Sequence, residues 1–90
     1  ASINVDLCIM GANAISIAKG ITDSNWDVVQ VKTAMVRTAK RTGVIAISEK
    51  LNSSQRMNVC EINHINYLIT ELHPDNSLLA DYCQLDLEVL

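Results

Sequence analysis

The sequence predicts an α/β fold, an open and mostly parallel sheet with flanking helices, and three observations predict it. Residues 5–10 and 44–47 are nearly unbroken apolar runs, the pattern of strands covered on both faces. Between them Val28, Val31, Met35 and Ala39 recur at steps of three or four, as one stripe of a helix does. The composition is 49% hydrophobic with no Phe, one Trp and two Tyr, so the core is built from Ile, Val, Leu, Ala and Met. Each apolar run empties into polar residues, the first into Gly11, Ala12 and Asn13, the second into Ser48, Glu49 and Lys50. Ligands of open α/β sheets bind beyond the carboxyl ends of the strands, so the two endings predict one shared pocket.

The elements follow in order. Residues 5–10 form the first strand, and Gly11 lets the backbone turn. Residues 11–24, rich in small side chains and without helical period, read as a binding loop. Ser24 with Asp27 three residues on resembles a capping box, so the helix starts there. Lys40 and Arg41 suit its negative end, and Gly43 stops it. Residues 44–47 are then a second strand, and the β-α-β unit makes the two strands parallel through a right-handed crossover. Residues 49–58 are polar, a loop or short helix. Ile62, Ile65, Leu68 and Ile69 lead into a third strand over residues 67–70. Pro74 and Asp75 open a helix over 76–83, and residues 85–90 are a fourth strand. No element is left to cover the second face of this sheet, so residues 1–90 are expected to be one part of a larger domain.

Charge and cysteine usage exclude several classes. A net charge of −3 is the wrong sign for holding nucleic acid, and Trp26, Tyr67 and Tyr82 are not interleaved with basic residues as a stacking platform requires. Cys8, Cys60 and Cys83 are odd in number and set in apolar sequence, which fits reduced thiols and a cytoplasmic location better than a disulfide framework. No apolar run approaches the about 20 residues that cross a bilayer, and the start lacks the pattern of a secretion signal. His64 and His73 stand apart, and Cys60 with His64 lacks two further ligands, so neither metal nor cofactor is expected. Ser48, Ser53 and Ser54 sit in no nucleophile elbow.

Four stretches in order then resemble the C-terminal, effector-sensing domain of DeoR-type sugar-metabolism repressors. The family's Asp-Leu-x-x-x-Gly-Ala-Asp-x-Ile is similar to Asp6-Leu7-Cys8-Ile9-Met10-Gly11-Ala12-Asn13-Ala14-Ile15. Its Gly-Leu-Thr and its Val-Lys-x-x-Met helix are similar to Gly20-Ile21-Thr22 and Val31-Lys32-Thr33-Ala34-Met35. Its Ser-x-Lys is similar to Ser48-Glu49-Lys50, and its Ile-Asp-x-Leu-Ile-Thr-Asp strand to residues 65–71. Ser48-Glu49-Lys50-Leu51-Asn52 with Gln55-Arg56 resembles the branch that includes galactitol-operon repressors. The resemblance implies the second half of a Rossmann-like, phosphosugar-isomerase-like sensor domain. It places the DNA-binding winged helix-turn-helix and a phosphate-holding Gly-Gly loop outside these residues, so any contact with DNA runs through that other domain.

It also implies a ligand set: Gly11, Asn13, Thr22, Lys32, Ser48 and Lys50 around a phosphorylated sugar or sugar alcohol. Read alone, Lys50 is a solvated loop lysine. In the resembled family it faces a phosphate, where an ammonium, a hydroxyl and loop amides make an anion site. Asn13 either bonds substrate hydroxyls or takes a left-handed turn. Lys32 on its own reads as a solvated helical lysine.

Related isomerases must remove a proton beside a carbonyl and need positioned carboxylates. Their Asp-Gly-Ala-Asp falls on Met10-Gly11-Ala12-Asn13, and their helical Glu-Lys on Val31-Lys32, so the acids at those positions are replaced. An anion ligand kept without a base implies a non-catalytic sensor that passes occupancy on to operator affinity. The alternatives are a phosphosugar isomerase and a ligand-free assembly fragment. A homo-oligomer is expected in each case.

Overall fold

The computed structural model describes residues 5–90. Among these residues seven strands form two sheets: β1 (Val5–Gly11), β2 (Ala14–Ser16), β3 (Gly20–Asp23), β4 (Ala39–Ile45), β5 (Met57–Cys60), β6 (Tyr67–Ile69) and β7 (Glu88–Val89). Two helices join them, α1 (Trp26–Thr38) between β3 and β4 and α2 (Ala80–Cys83) before β7. The main sheet has order β1-β4-β6-β7 with every pair parallel, as an α/β sequence requires. The second sheet, β2-β3-β5, is antiparallel.

Several sequence expectations are corrected. The expected binding loop over residues 11–24 contains the β2-β3 hairpin, with Ile15 and Ile21 paired and fully buried. Gly20 closes it at φ +72°, where a Cβ would lie 2.2 Å from the Cys60 carbonyl oxygen, so both backbone and space demand glycine. Gly11 has no such need: it ends β1, and a Cβ there would meet nothing within 4 Å. The stretch expected to be loop or short helix over residues 49–58 runs into β5, which pairs with β3.

The helix cap is Asn25, whose Oδ1 accepts from the Val28 N–H at 3.2 Å, rather than Ser24. The buried side of α1 is set by Val29, with Met35 and Val36 partly covered, while Val31 is 62% exposed. The expected stripe was therefore rotated. The helix ends at Thr38, whose hydroxyl donates back to the Ala34 and Met35 carbonyls at 3.1 Å. Gly43 does not stop it. Residues 39–45 pair with β1 from Val5↔Ala39 to Gly11↔Ile45, and Gly43 lies within that strand beside Ile9 and Tyr67. Pairing along the whole of β1 outweighs the local helical signal of Lys40 and Arg41. At the far end, residues 77–79 form a 3-10 turn capped by Asn76 and lead into α2, and the fourth strand of the main sheet is only β7.

The core is aliphatic with one aromatic. Val44, Ile65, Leu68 and Leu79 are fully buried with Ile15 and Ile21, and Tyr82 lies among them at 0% exposure. Its hydroxyl donates to Asn52 Oδ1 at 3.0 Å, lies 3.4 Å from the Ile15 carbonyl oxygen, and accepts from the Asn52 N–H at 3.4 Å. Among the described residues, one face of the main sheet is covered. On β1, Cys8 and Met10 point into the core, while Leu7 and Ile9 alternate outward at 46% and 49% exposure. With Gly43, Tyr67, Ile69 and Leu90 these outward residues line an apolar depression of about 480 Å³.

Candidate functional site

The carboxyl ends of β1, β4 and β6 lie side by side, and the ladder continues past them. The Ala12 N–H donates to the Ile45 carbonyl at 3.0 Å and the Ala46 N–H to the Ile69 carbonyl at 2.9 Å. The segments leaving β1 and β4 then run together: Ile15 and Leu51 form a parallel bridge, and the Ser53 N–H donates to the Ile15 carbonyl at 3.1 Å. Asn13 is two residues before that bridge and Lys50 one before it, so the backbone brings their segments to the same end of the sheet.

A closed polar network sits just past β1. Asn13 Nδ2 donates to Asp23 Oδ2 at 2.6 Å, and the Asn25 N–H donates to Asp23 Oδ1 at 3.0 Å. Lys32 Nζ donates to the Gly11 carbonyl at 2.6 Å and lies 3.7 Å from Asp23 Oδ2. The Asp23 side chain is 1% exposed and that of Lys32 18%. Burial acts to raise the Asp23 pKa, but hydrogen bonds from Asn25, Asn13 and Ser24 and the Lys32 charge outweigh it, so the carboxyl is held below its ordinary value. Asn13 and Lys32 thereby meet at one anion, and Lys32 ties it to the Gly11 carbonyl. Asp23 carries no local signal in the sequence, because it reaches the site through the β2-β3 hairpin. Lys32, read from sequence as a solvated helical lysine, lies on the partly covered side of α1.

The other three predicted residues are placed differently. The Ser48 N–H and hydroxyl donate to the two carboxylate oxygens of Glu71 at 2.8 Å each, and Thr70 Oγ1 donates to the same group at 3.0 Å. The Ser48 hydroxyl most of all, then the Thr70 hydroxyl and the Glu71 and Ser48 N–H groups, lower the Glu71 pKa against the opposing effect of desolvation, so Ser48 is bound to an anion of the protein's own. Lys50 is half-buried in a 3-10 turn, with its N–H on the Ile47 carbonyl and its carbonyl accepting from Ser53 Oγ at 2.7 Å. Among the described residues its ammonium makes no ion pair. Thr22 is buried, and its hydroxyl accepts from the Gln55 N–H at 2.8 Å, tying β3 to the segment that leads into β5.

A depression of about 610 Å³ lies elsewhere, over β3 and β5, and shares only Thr22 with these residues. Lys19, Arg56 and Glu61 line it with mixed charge, and the Asn58 amide in it is already used on the Lys19 and Cys60 carbonyls. It is broad and open, whereas the network past β1 has a buried charge at its centre. Among the described residues no three His, Cys, Asp or Glu side chains are grouped to hold a metal ion. Cys8 and Cys60 are buried free thiols, and burial, with Cys8 nearby, pushes the Cys60 thiol up to about 11, which makes it a poor nucleophile. No helix among the described residues is long and apolar enough to cross a membrane.

Comparison with known proteins sets the chain beside a family model and a curated relative. The family model described as the DeoR C terminal sensor domain matches residues 1–72. The HTH-type transcriptional regulator GlpR of Haloferax volcanii is 31% identical over 78 residues, which cover 87% of this chain and 29% of that protein. The chain thus spans under a third of the length of this relative.

Proposed function

Because the chain belongs to the DeoR C-terminal sensor domain family, we propose that it recognises a phosphorylated sugar or sugar alcohol without turning it over, as the sensing part of a transcriptional repressor. The observation that carries the reading is the Asn13–Asp23–Lys32 network at the carboxyl end of β1, the place where open α/β sheets take ligands. Asn13 and Lys32 offer hydrogen bonds to hydroxyls there. Lys50, on the neighbouring segment with no ion-pair partner among the described residues, supplies the cation for the phosphate. Ser48 joins it once Glu71 is displaced.

The same network argues against an isomerase. A general base works best with a pKa near the operating pH, and Asp23, held low and surrounded by donors, is a weak base with its lone pairs in use. The bare apolar face of the main sheet supports assembly: in the whole protein it is covered, and a homo-oligomer is the expected form. Operator DNA is reached through a helix-turn-helix domain outside these residues, a reading in line with the relative's name as an HTH-type transcriptional regulator. The protein works in the cytoplasm, where its thiols stay reduced.

Thermal-shift measurements on the full-length regulator test the reading. A ligand at a hundred times its Kd stabilises the folded state by about 2.7 kcal/mol. Galactitol 1-phosphate, sorbitol 6-phosphate or another phosphorylated member of the panel raises Tm, and its unphosphorylated partner does not. Equal shifts with both, or measurable aldose-ketose isomerisation of a phosphosugar, would remove the proposal.

A further inference from the structure

A buried carboxylate is not kept beside a ligand site without a partner to hold, because its desolvation must be offset by donors. Asp23 has three kinds: the Asn25 N–H fixes the carboxylate itself, while Asn13 and Lys32 come from two other elements, the β1-β2 connection and α1. Resting on the sensor reading above, we propose that Asp23 is a positioning residue that orients the Asn13 amide and the Lys32 ammonium toward two adjacent hydroxyls of the effector.

The donor and acceptor inventory gives the argument its direction. A carboxamide has two N–H donors and one carbonyl oxygen, and Asp23 can only accept, so it selects the Nδ2 end of Asn13. Asn13 Oδ1 is thereby turned away from the carboxylate, and among the described residues it accepts no hydrogen bond; the residue is exposed. Lys32 has three N–H donors: one goes to the Gly11 carbonyl, a second faces Asp23, and the third is left at a side chain that remains 18% exposed. An acceptor on Asn13 and a donor on Lys32, both anchored on the same Asp23 Oδ2, match a vicinal diol, in which one hydroxyl donates to Asn13 and the next accepts from Lys32. Asp23 touches no ligand in this arrangement. It decides which end of Asn13 the ligand meets.

The isosteric Asp23→Asn variant reverses that choice. Its Nδ2 donates where Oδ2 accepted, so the Asn13 amide flips to offer Oδ1 inward and presents N–H groups to the effector. Adding Asn13→Asp restores an acceptor facing outward and a carboxylate near Lys32. The test measures binding to full-length wild type, Asp23→Asn and the Asp23→Asn, Asn13→Asp pair. The probes carry a graded set of hydroxyls: inorganic phosphate, 1,3-propanediol monophosphate, glycerol 3-phosphate and sorbitol 6-phosphate.

Asp23→Asn is expected to weaken the two probes with adjacent hydroxyls by about tenfold, the scale of one lost polar contact. Phosphate and the propanediol ester change by less than about twofold, and the paired substitution recovers most of the loss. A purely structural role lowers all four affinities together. That result, or no change at all, overturns the positioning role while leaving the sensor reading intact. Failure of wild type to bind any phosphorylated probe removes the sensor reading and the positioning role with it.

Discussion

Asp23 makes stability depend on pH with a definite sign. Its folded-state pKa lies below the ordinary value of 3.8, so the unfolded chain binds the proton more readily than the folded one. The stabilisation is therefore fully present above the unfolded-state value and is lost as pH falls through the folded one. Asp23→Ala leaves the Asn13 amide and the Asn25 N–H without their acceptor and is expected to cost about 1–3 kcal/mol near neutral pH. The difference from wild type should shrink below about pH 4, where the unfolded carboxyl begins to take up its proton before the native one does. Melting curves of both proteins from pH 3 to 7 check this, and a gap that stays constant across the range contradicts it. Tyr82→Phe is the neutral counterpart: it leaves Asn52 and the Ile15 carbonyl short of a partner inside the core and is expected to lower stability by about 1 kcal/mol at every pH up to 7.

Among elements, the β2-β3 hairpin positions the network, since β3 ends on Asp23 and β2 begins one residue after Asn13. Gly20 closes the hairpin against β5, so Gly20→Ala meets both a positive φ and the Cys60 carbonyl. A loss of about 2–4 kcal/mol is expected, with effector binding weakened too, whereas Gly11→Ala meets open space and changes stability by about 0.5 kcal/mol or less. Denaturant titration of the two variants separates them, and equal midpoints would show that the hairpin does not depend on Gly20.

This contrast marks how far the sequence could be read. β1, the order of the parallel elements and the polar endings at Asn13 and Ser48 were legible, because a long apolar strand and its punctuation are local signals. The hairpin was not, since strands of three and four residues are too short to show alternation, and the pairing of Ile15 with Ile21 is not a local property. The start of β4 was hidden for a related reason: Lys40 and Arg41 carry helical signals that β1 overrides by pairing. Within the candidate site, Asn13 stood out at the end of the first apolar run and Lys32 only through the family resemblance, while Asp23 depended on the hairpin that brings it there.

For the whole molecule, one geometrical rule connects topology to exposure. The main sheet grows in a single direction, β1 to β4 to β6 to β7, always parallel. Right-handed crossovers in one direction place every connection on the same face, so α1 and α2 cannot cover the other. Leu7, Ile9, Ile45 and Ile47 lie there between 46% and 49% exposed, and β1 pairs on one edge only among the described residues. Such a surface, flat, apolar and next to an open strand edge, favours association in water. The ninety-residue chain by itself is accordingly expected to self-associate at micromolar concentration. Ile9→Glu with Ile45→Lys places opposite charges on that face without touching the buried side of either strand, so it should shift the isolated chain toward monomer and leave its circular dichroism unchanged. If a full-length regulator covers this face, the same pair should destabilise it by several kcal/mol through buried charge. Sedimentation of the short chain and melting of the long one must move in these opposite senses; a short chain that is monomeric without the substitutions, or a long one indifferent to them, would mean that the face is solvated in the working protein.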